Sequence, residues 1–358
     1  MSESLQPGDP ISLALSGGGV RALAFHLGVL RYLAEQRMLE RIKHVSSVSG
    51  GSLAVGLIMT NSGKAWPSST DFLTEVYPAV KHMICSRSLM WDGISQLVNP
   101  LNWRFLLSRS NLIALALRKH WKLDFSLKEL APSPIWSINA TTAENGKRFR
   151  FSGTTIGDYL EGYAEAPDLS VATAVAVSAA FPGGIGPLAL NTADFQWKKR
   201  EWNAPESTAK KVTLAFKTLH LYDGGVYDNL GLEPLFNAGT GVPKTDSKHI
   251  IVSDAGAPLK KEFSALALNP WRLKRVADII SDQARNLRVR TFMNYLLRAK
   301  TGAFIQIDSP LFQMDTGSDV DFACDFPTTL RRLSIQEFDR LADYAHEVTR
   351  RVHNKYGL

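Results

Sequence analysis

A serine hydroxyl becomes a nucleophile only when a neighbouring group takes its proton. Three stretches of this sequence carry the residue types for that arrangement. Residues 44–52 read HVSSVSGGS, and within them Ser47-Val48-Ser49-Gly50-Gly51 approaches the pattern G-x-S-x-G with serine in the first position. That pattern presents a hydroxyl on a sharp turn between a strand and a helix, with glycine close by because a Cβ would clash. Ser49 falls at the apex. Ser46 and Ser47 belong to the strand before it. Ser52 belongs to the helix after it, where a hydroxyl can bond back to the chain. Read alone, the stretch is equally a Ser/Gly-rich helix start that caps itself.

Gly17-Gly18-Gly19 is the second stretch. A glycine run between a strand and a helix exposes N–H groups at the positive helix end, where they can hold a phosphate or an oxyanion. The phosphate-loop spacing G-x-x-x-x-G-K-[ST] is absent, and the dinucleotide pattern G-x-G-x-x-G fails at Ala22. An oxyanion loop fits better, and losing one such donor costs roughly 10²–10³ in turnover. The third stretch is Asp223-Gly224-Gly225. Such an aspartate can sit in an open pocket at a strand end, although Asp-Gly is also a common turn. To act as a base at neutral pH it needs a partly desolvated pocket and a hydroxyl within ~3 Å.

Other chemistry-bearing residues have plainer readings. His249 and His346 follow Asp223, so a Ser-Asp-His order is formally available. His249, however, opens an apolar strand and His346 lies on the last helix, which makes both structural. Asp254, in SDAGAP, ends a strand as a turn cap or a support for the Asp223 loop. Arg285, Arg288, Arg290 and Arg298 read as a solvated helix face, with lipid phosphate as the alternative ligand. Asn139 heads a glycosylation sequon that a cytosolic strand would leave unmodified.

These residues need elements to hold them. Ile11 to Leu15 is an apolar run bounded by turn residues, hence a buried strand. The following helix carries Leu23, Leu27, Leu30 and Ala34 on one stripe. A second strand covers Lys43 to Val48, and a second helix begins at Gly50. This strand–helix alternation predicts an α/β protein with a parallel sheet. Further strands are expected over 135–141, 148–151, 218–222, 249–253 and 303–307, with Glu144-Asn145-Gly146 as a turn. Helices are expected over 271–300 and 334–353, the latter opened by a Ser334–Glu337 capping box. Residues 62–130, rich in tryptophan and aliphatic groups, form an acyl channel, a lid or ordinary core.

Composition narrows the surroundings. The net charge of +7 favours anionic partners, namely lipid headgroups, nucleotides or nucleic acid. Cys85 and Cys324 show no metal-binding spacing, and so few cysteines suit a reducing compartment. The polar start of the chain lacks a signal-peptide pattern, and no apolar run approaches the ~18 residues that span a bilayer. A cytoplasmic protein, meeting membranes from one side, is the expectation.

Taken together, SGGGVRA, SVSGG and DGGVYDN, in that order and with SAAFPGGIGPL between the last two, resemble the patatin-like phospholipases. These are related to the catalytic domain of cytosolic A-type phospholipases. The motifs span roughly residues 11–260. The resemblance implies a three-layer α/β/α fold with a mostly parallel central sheet. It implies a Ser-Asp dyad without histidine: Ser49 the nucleophile, Asp223 the base, and the amides of Gly17, Gly18 and Gly19 the oxyanion hole. Gly50 is a further candidate donor. Arg21 matches the family's arginine, as a structural or headgroup-binding residue. Ser47 and Ala22 depart from the usual glycines without touching the dyad. No metal or cofactor is implied. The implied substrates are fatty-acyl esters of membrane phospholipids, with peripheral membrane contact and no nucleic acid. Activation by a small nucleotide or partner protein stays open. So do a general esterase or acyltransferase on the same site, and a non-hydrolytic nucleotide- or phosphate-binding module using Gly17–Gly19. The expected organisation is an extension over 1–10, a catalytic domain over 11–260, and a helical segment over 261–358 packed on it.

Overall fold

The computed structural model describes residues 8–106, 108–182, 184–201, 204–259, 271–312 and 318–357. The apolar run ISLAL becomes strand β1 (Ile11–Leu15), buried at every residue. It is followed by α1 (Gly19–Glu35), β2 (Ile42–Ser47) and α2 (Gly50–Asn61). Later strands are β3 (Ile135–Thr142), β4 (Arg148–Ser152), β5 (Thr155–Asp158), β6 (Gly162–Glu165), β7 (Leu188–Asn191), β8 (Trp197–Lys199), β9 (Lys210–Lys211) and β10 (Thr218–Asp223). A two-residue hairpin pairs β11 (Phe236–Asn237) with β12 (Val242–Pro243), and β13 (His249–Asp254) and β14 (Ala303–Gln306) complete the set.

Twelve strands form one sheet, whose main path runs β14-β13-β1-β2-β3-β4-β5-β6-β8-β9. From β14 to β3 all neighbours are parallel. Beyond β3 the sheet continues as an antiparallel meander, begun by the turn at Glu144-Asn145-Gly146. Parallel strands are covered on both faces, which is why β1 and the centre of β13 read as mostly apolar runs. Alternate side chains point to opposite faces. Leu13, Leu15 and Ile251 join Leu23, Leu27, Leu30, Phe338 and Leu341 on one side. Ala14, Ile250 and Val252 join Leu230, Phe236, Phe292 and Tyr295 on the other. The protein is therefore an α/β sheet flanked by helices.

The last helix, Ile335–Tyr356, opens with the Ser334–Glu337 capping box and lies against α1. The expected boundary at 260/261 and most of the 1–10 extension lie outside the described residues. Within them, β14 extends the sheet and the last helix covers α1, so the segment after 270 contributes to the same core.

The arginines of the helix Trp271–Ala299 divide, contrary to the solvated-face expectation. Arg285 is bonded to buried Asp254 through Nε (2.8 Å) and Nη2. Arg288 lies 3.7 Å from buried Asp228. Two carboxylates under the sheet's carboxyl edge pull these side chains inward, whereas Arg290 and Arg298 are exposed. Residues 62–130 also divide. Leu117, Trp121 and Leu123 are core, whereas Trp91, Val98, Leu101 and Trp103 face outward. Among the described residues no helix is long and apolar enough to cross a membrane.

Gly28 sets how closely α1 and the last helix approach. A Cβ built there would stand 2.1 Å from the Ala342 carbonyl oxygen. Gly28→Ala is expected to lower stability by roughly 1–3 kcal/mol, as overpacked sites do. A thermal melt unchanged from wild type would contradict this close crossing.

Candidate active site

Three strands build the site. β3 pairs with β4 along one edge through Ser137 to Thr141. Its other edge is shared. β2 runs parallel to it and ends with Ser47 opposite Ile138. β10 runs antiparallel and ends with Asp223 opposite Ala140. The carboxyl ends of β2 and β10 thus point at one another across Asn139.

Just beyond β2 the chain turns sharply into α2. Ser49 sits at the apex with φ 50° and ψ −114°, a conformation that non-glycine residues rarely adopt. Strain of this kind costs on the order of 1–3 kcal/mol and persists only where surrounding structure enforces it. A line of hydroxyls supplies that enforcement. Trp136 Nε1–H donates to Ser47 Oγ (2.8 Å). Ser47 Oγ meets Ser52 Oγ, and Ser52 Oγ meets Ser178 Oγ, each at 2.8 Å. The Ser49 amide donates to Ser178 Oγ at 3.0 Å. Serine at the first elbow position is therefore a member of a buried network, and Trp136 and Ser178 are functional-site residues that sequence reasoning missed. Ser178 ends the Ala/Val-rich helix Val171–Ser178, where a hydroxyl closing an otherwise mostly apolar run was the available signal.

The half-buried Ser49 hydroxyl lies beside the buried carboxylate of Asp223. The Gly225 N–H donates to Asp223 Oδ1, at 2.7 Å. Burial pushes the Asp223 pKa up to about 7, against the smaller opposing effects of the Gly225 amide and the Ser49 hydroxyl. Among the described residues no cation pairs with it. The sequence-predicted nucleophile and base are thus in contact.

The glycine loop lies alongside. A Cβ on Gly17 would fall 3.2 Å from Ser49 Cβ, and one on Gly50 would fall 2.2 Å from the Gly19 carbonyl oxygen. Gly18 and Gly19 have φ of 144° and 62°, the region that favours glycine. Among the described residues, no acceptor faces the N–H groups of Gly18, Gly19 or Gly50. Gly17 differs from the expectation, because its N–H is already donated to the Asn229 carbonyl at 3.0 Å. Its contribution is the absence of a side chain. Asn229, at the end of DGGVYDN, also places its side chain against Gly17 and Gly225.

Arg21 is structural. Its buried guanidinium donates to the carbonyls of Ala255 (3.2 Å) and Phe326 (2.6 Å), and desolvation lowers its pKa to about 10. His26, fully buried, bonds the Ser16 carbonyl through Nε2 and the Ser253 hydroxyl through Nδ1. The carbonyl can only accept, so Nε2 carries the proton. Burial lowers the pKa of this neutral ring to about 4. His249 lies at the far end of β13 beside Thr301, and His346 bonds Glu35 at the far end of α1. The 17 residues of α1 separate Glu35 from the glycine loop by about 25 Å. Neither histidine reaches Ser49. Asp254 caps its turn through Gly256 N–H (2.9 Å) besides holding Arg285. Among the described residues no cluster could hold a metal ion.

A helix-covered α/β sheet with a strained serine at its carboxyl edge defines the class. The sequence model of the patatin-like phospholipases matches residues 13–236, more than half of the chain, and the chain belongs to that family. No curated protein matches it in sequence. Among solved structures it is similar to human GIVD cytosolic phospholipase A2, with TM-score 0.53 and 13% identity, covering 97% of this chain and 59% of that one. The same human protein in complex with methyl gamma-linolenyl fluorophosphonate gives TM-score 0.52 and 13% identity, covering 99% of this chain and 60% of that one. The chain thus spans about three fifths of these structures, and at this identity the likeness is one of fold.

The electrostatics predict a pH signature. Asp223 ordinarily titrates at 3.8 and here near 7, so between those values the folded protein holds a proton that the unfolded chain has released. Stability from this group is present at low pH and is lost as pH rises through 7. Asp223→Asn removes that dependence while its Oδ1 still accepts from Gly225. The variant should match wild type near pH 4 and melt higher than wild type above pH 7. Parallel melting curves across pH 4–8 would contradict the raised pKa.

Proposed function

We propose that this protein is a serine lipid acyl hydrolase of the phospholipase A or lysophospholipase type. The observation that carries the reading is the placement of the Ser49 hydroxyl, held at a strained elbow, beside the carboxylate of Asp223, which is buried and, among the described residues, without a cation. In the proposed cycle Ser49 Oγ attacks the ester carbonyl carbon as Asp223 takes its proton. The oxyanion is held by the N–H groups of Gly18, Gly19 and Gly50. Collapse breaks the ester bond, and Asp223 hands its proton to the departing alcohol. Asp223 then deprotonates water, which attacks the acyl-serine, and Asp223 passes that proton to Ser49 Oγ as the fatty acid leaves. Esterase and acyltransferase chemistry would use the same steps with another leaving group or acceptor. A phosphate-binding role for Gly17–Gly19 is disfavoured on charge, because an ionised Asp223 beside the loop repels phosphate.

Ser49→Ala and Asp223→Asn are each expected to reduce hydrolysis of a soluble aryl ester and of phospholipid vesicles by at least about 10³-fold, the scale of dyad loss. A fluorophosphonate should label wild type at Ser49 and leave Ser49→Ala unlabelled. Wild-type kcat/KM should rise with pH through about 7 as Asp223 ionises. Retained turnover in Asp223→Asn would refute the dyad.

Contact with a lipid surface is part of the same proposal. Trp91, Val98, Leu101 and Trp103 are 65%, 87%, 76% and 58% exposed. Exposed apolar groups so close in sequence mark an interaction surface, and tryptophan suits the headgroup region. This segment joins the site through Arg109, which donates to the Gly184 carbonyl (3.1 Å), and Ser108, which donates to that of Pro187 (2.9 Å). The same loop contains exposed Phe181, next to Ala180, whose carbonyl accepts the Asp223 N–H. Replacing all four exposed residues by serine should weaken sedimentation with anionic phospholipid vesicles roughly tenfold or more, while leaving soluble-ester turnover intact. Equal sedimentation of both proteins would remove this surface from the proposal.

A further inference from the structure

We propose that Asn139 is a positioning residue that sets the separation of Ser49 from Asp223 by clamping the ends of the two strands that carry them. The inference rests on the dyad reading above and concerns how the dyad is held. Asn139 is buried and occupies the one position of β3 between the last partner of β2 and the last partner of β10. Backbone pairing alone therefore leaves a gap exactly one residue wide between the two strand ends.

Its side chain closes one half of that gap. Nδ2 donates to Ser46 Oγ and to the Ser47 carbonyl, both at 2.9 Å, which ties down the last turn before the elbow. Oδ1 accepts from Arg148 Nη1 at 3.0 Å. A guanidinium only donates, so this contact fixes which amide atom faces which partner. The Asn139 backbone closes the other half. A Cβ on Gly224 would fall 2.5 Å from the Asn139 carbonyl oxygen and 3.2 Å from Asn139 Cβ, so the residue after Asp223 rests directly on it. Thr141, two residues on, donates its hydroxyl to the Asp223 carbonyl at 2.9 Å. One asparagine thus touches both strand ends. Displacing a catalytic group by about 1 Å can cost 10²-fold.

Asn139→Asp tests this with little change of shape. It retains the Arg148 contact and replaces the donor to Ser47 with an oxygen that repels the carbonyl. With a soluble aryl ester, kcat should fall about 10²-fold while KM and the melting temperature stay close to wild type. A crystal structure of the variant should show Ser49 and Asp223 further apart than in a wild-type crystal. Arg148→Met, which frees the Asn139 amide to turn, should give a smaller loss of kcat and carries the test if Asn139→Asp fails to fold. A Ser49–Asp223 separation in the variant crystal equal to that in a wild-type crystal, or kcat within twofold of wild type in both variants, overturns the proposal. The crystallographic result stands even if wild type hydrolyses no ester, in which case the hydrolase reading fails separately.

Discussion

An aspartate buried without a counter-ion governs the carboxyl edge of this sheet. Burying a carboxylate is costly unless it is paired, and the usual escape is to keep its proton. Asp254, buried nearby, is bonded to Arg285, and Arg288 lies 3.7 Å from Asp228, whose pKa burial nevertheless raises. Among the described residues Asp223 has a glycine amide and the adjacent Ser49 hydroxyl but no cation. Burial therefore carries its pKa up to about 7. A cation brought beside Asp223 would stabilise its charge and make it a poorer base.

The second constraint is a backbone held off its preferred conformation. Ser49 keeps a positive φ because every neighbour is pinned. Ser46 bonds Asn139 and the Gly231 carbonyl, Ser47 bonds Trp136 and Ser52, and Ser52 bonds Ser178. The serine-rich stretch is thus a division of labour in which one hydroxyl faces Asp223 and three hold it there. Removing a holding hydroxyl would leave buried donors unsatisfied and loosen the turn.

Local patterns made much of this legible. The apolar runs of β1 and β13, the stripe on α1 and the Ser334–Glu337 box all follow from short-range spacing, and each has its expected form. Ser49, Asp223 and the glycine run could be singled out because three short motifs, each ambiguous alone, occur in the order found in the patatin-like phospholipases. What stayed hidden depends on pairing across long separations. Arg285 and Arg288 lie on a polar helix without a clear apolar stripe, and only the tertiary structure reveals the acids beneath them. Asn139 looked like a sequon in a strand, since its role requires that β2 and β10 share an edge of β3. Gly17 could not be told from Gly18 without knowing that Asn229 takes its amide hydrogen.

The glycine loop also depends on residues far along the chain. The amide of Val20 donates to the Thr329 carbonyl at 2.9 Å, and that same carbonyl lies 2.5 Å from where a Gly19 side chain would begin. The floor of the glycine loop is therefore laid by a segment that emerges from the ribosome some three hundred residues after the loop itself. A nascent chain that already bears the serine and the aspartate still lacks this support until Thr329 has been made and folded back onto α1.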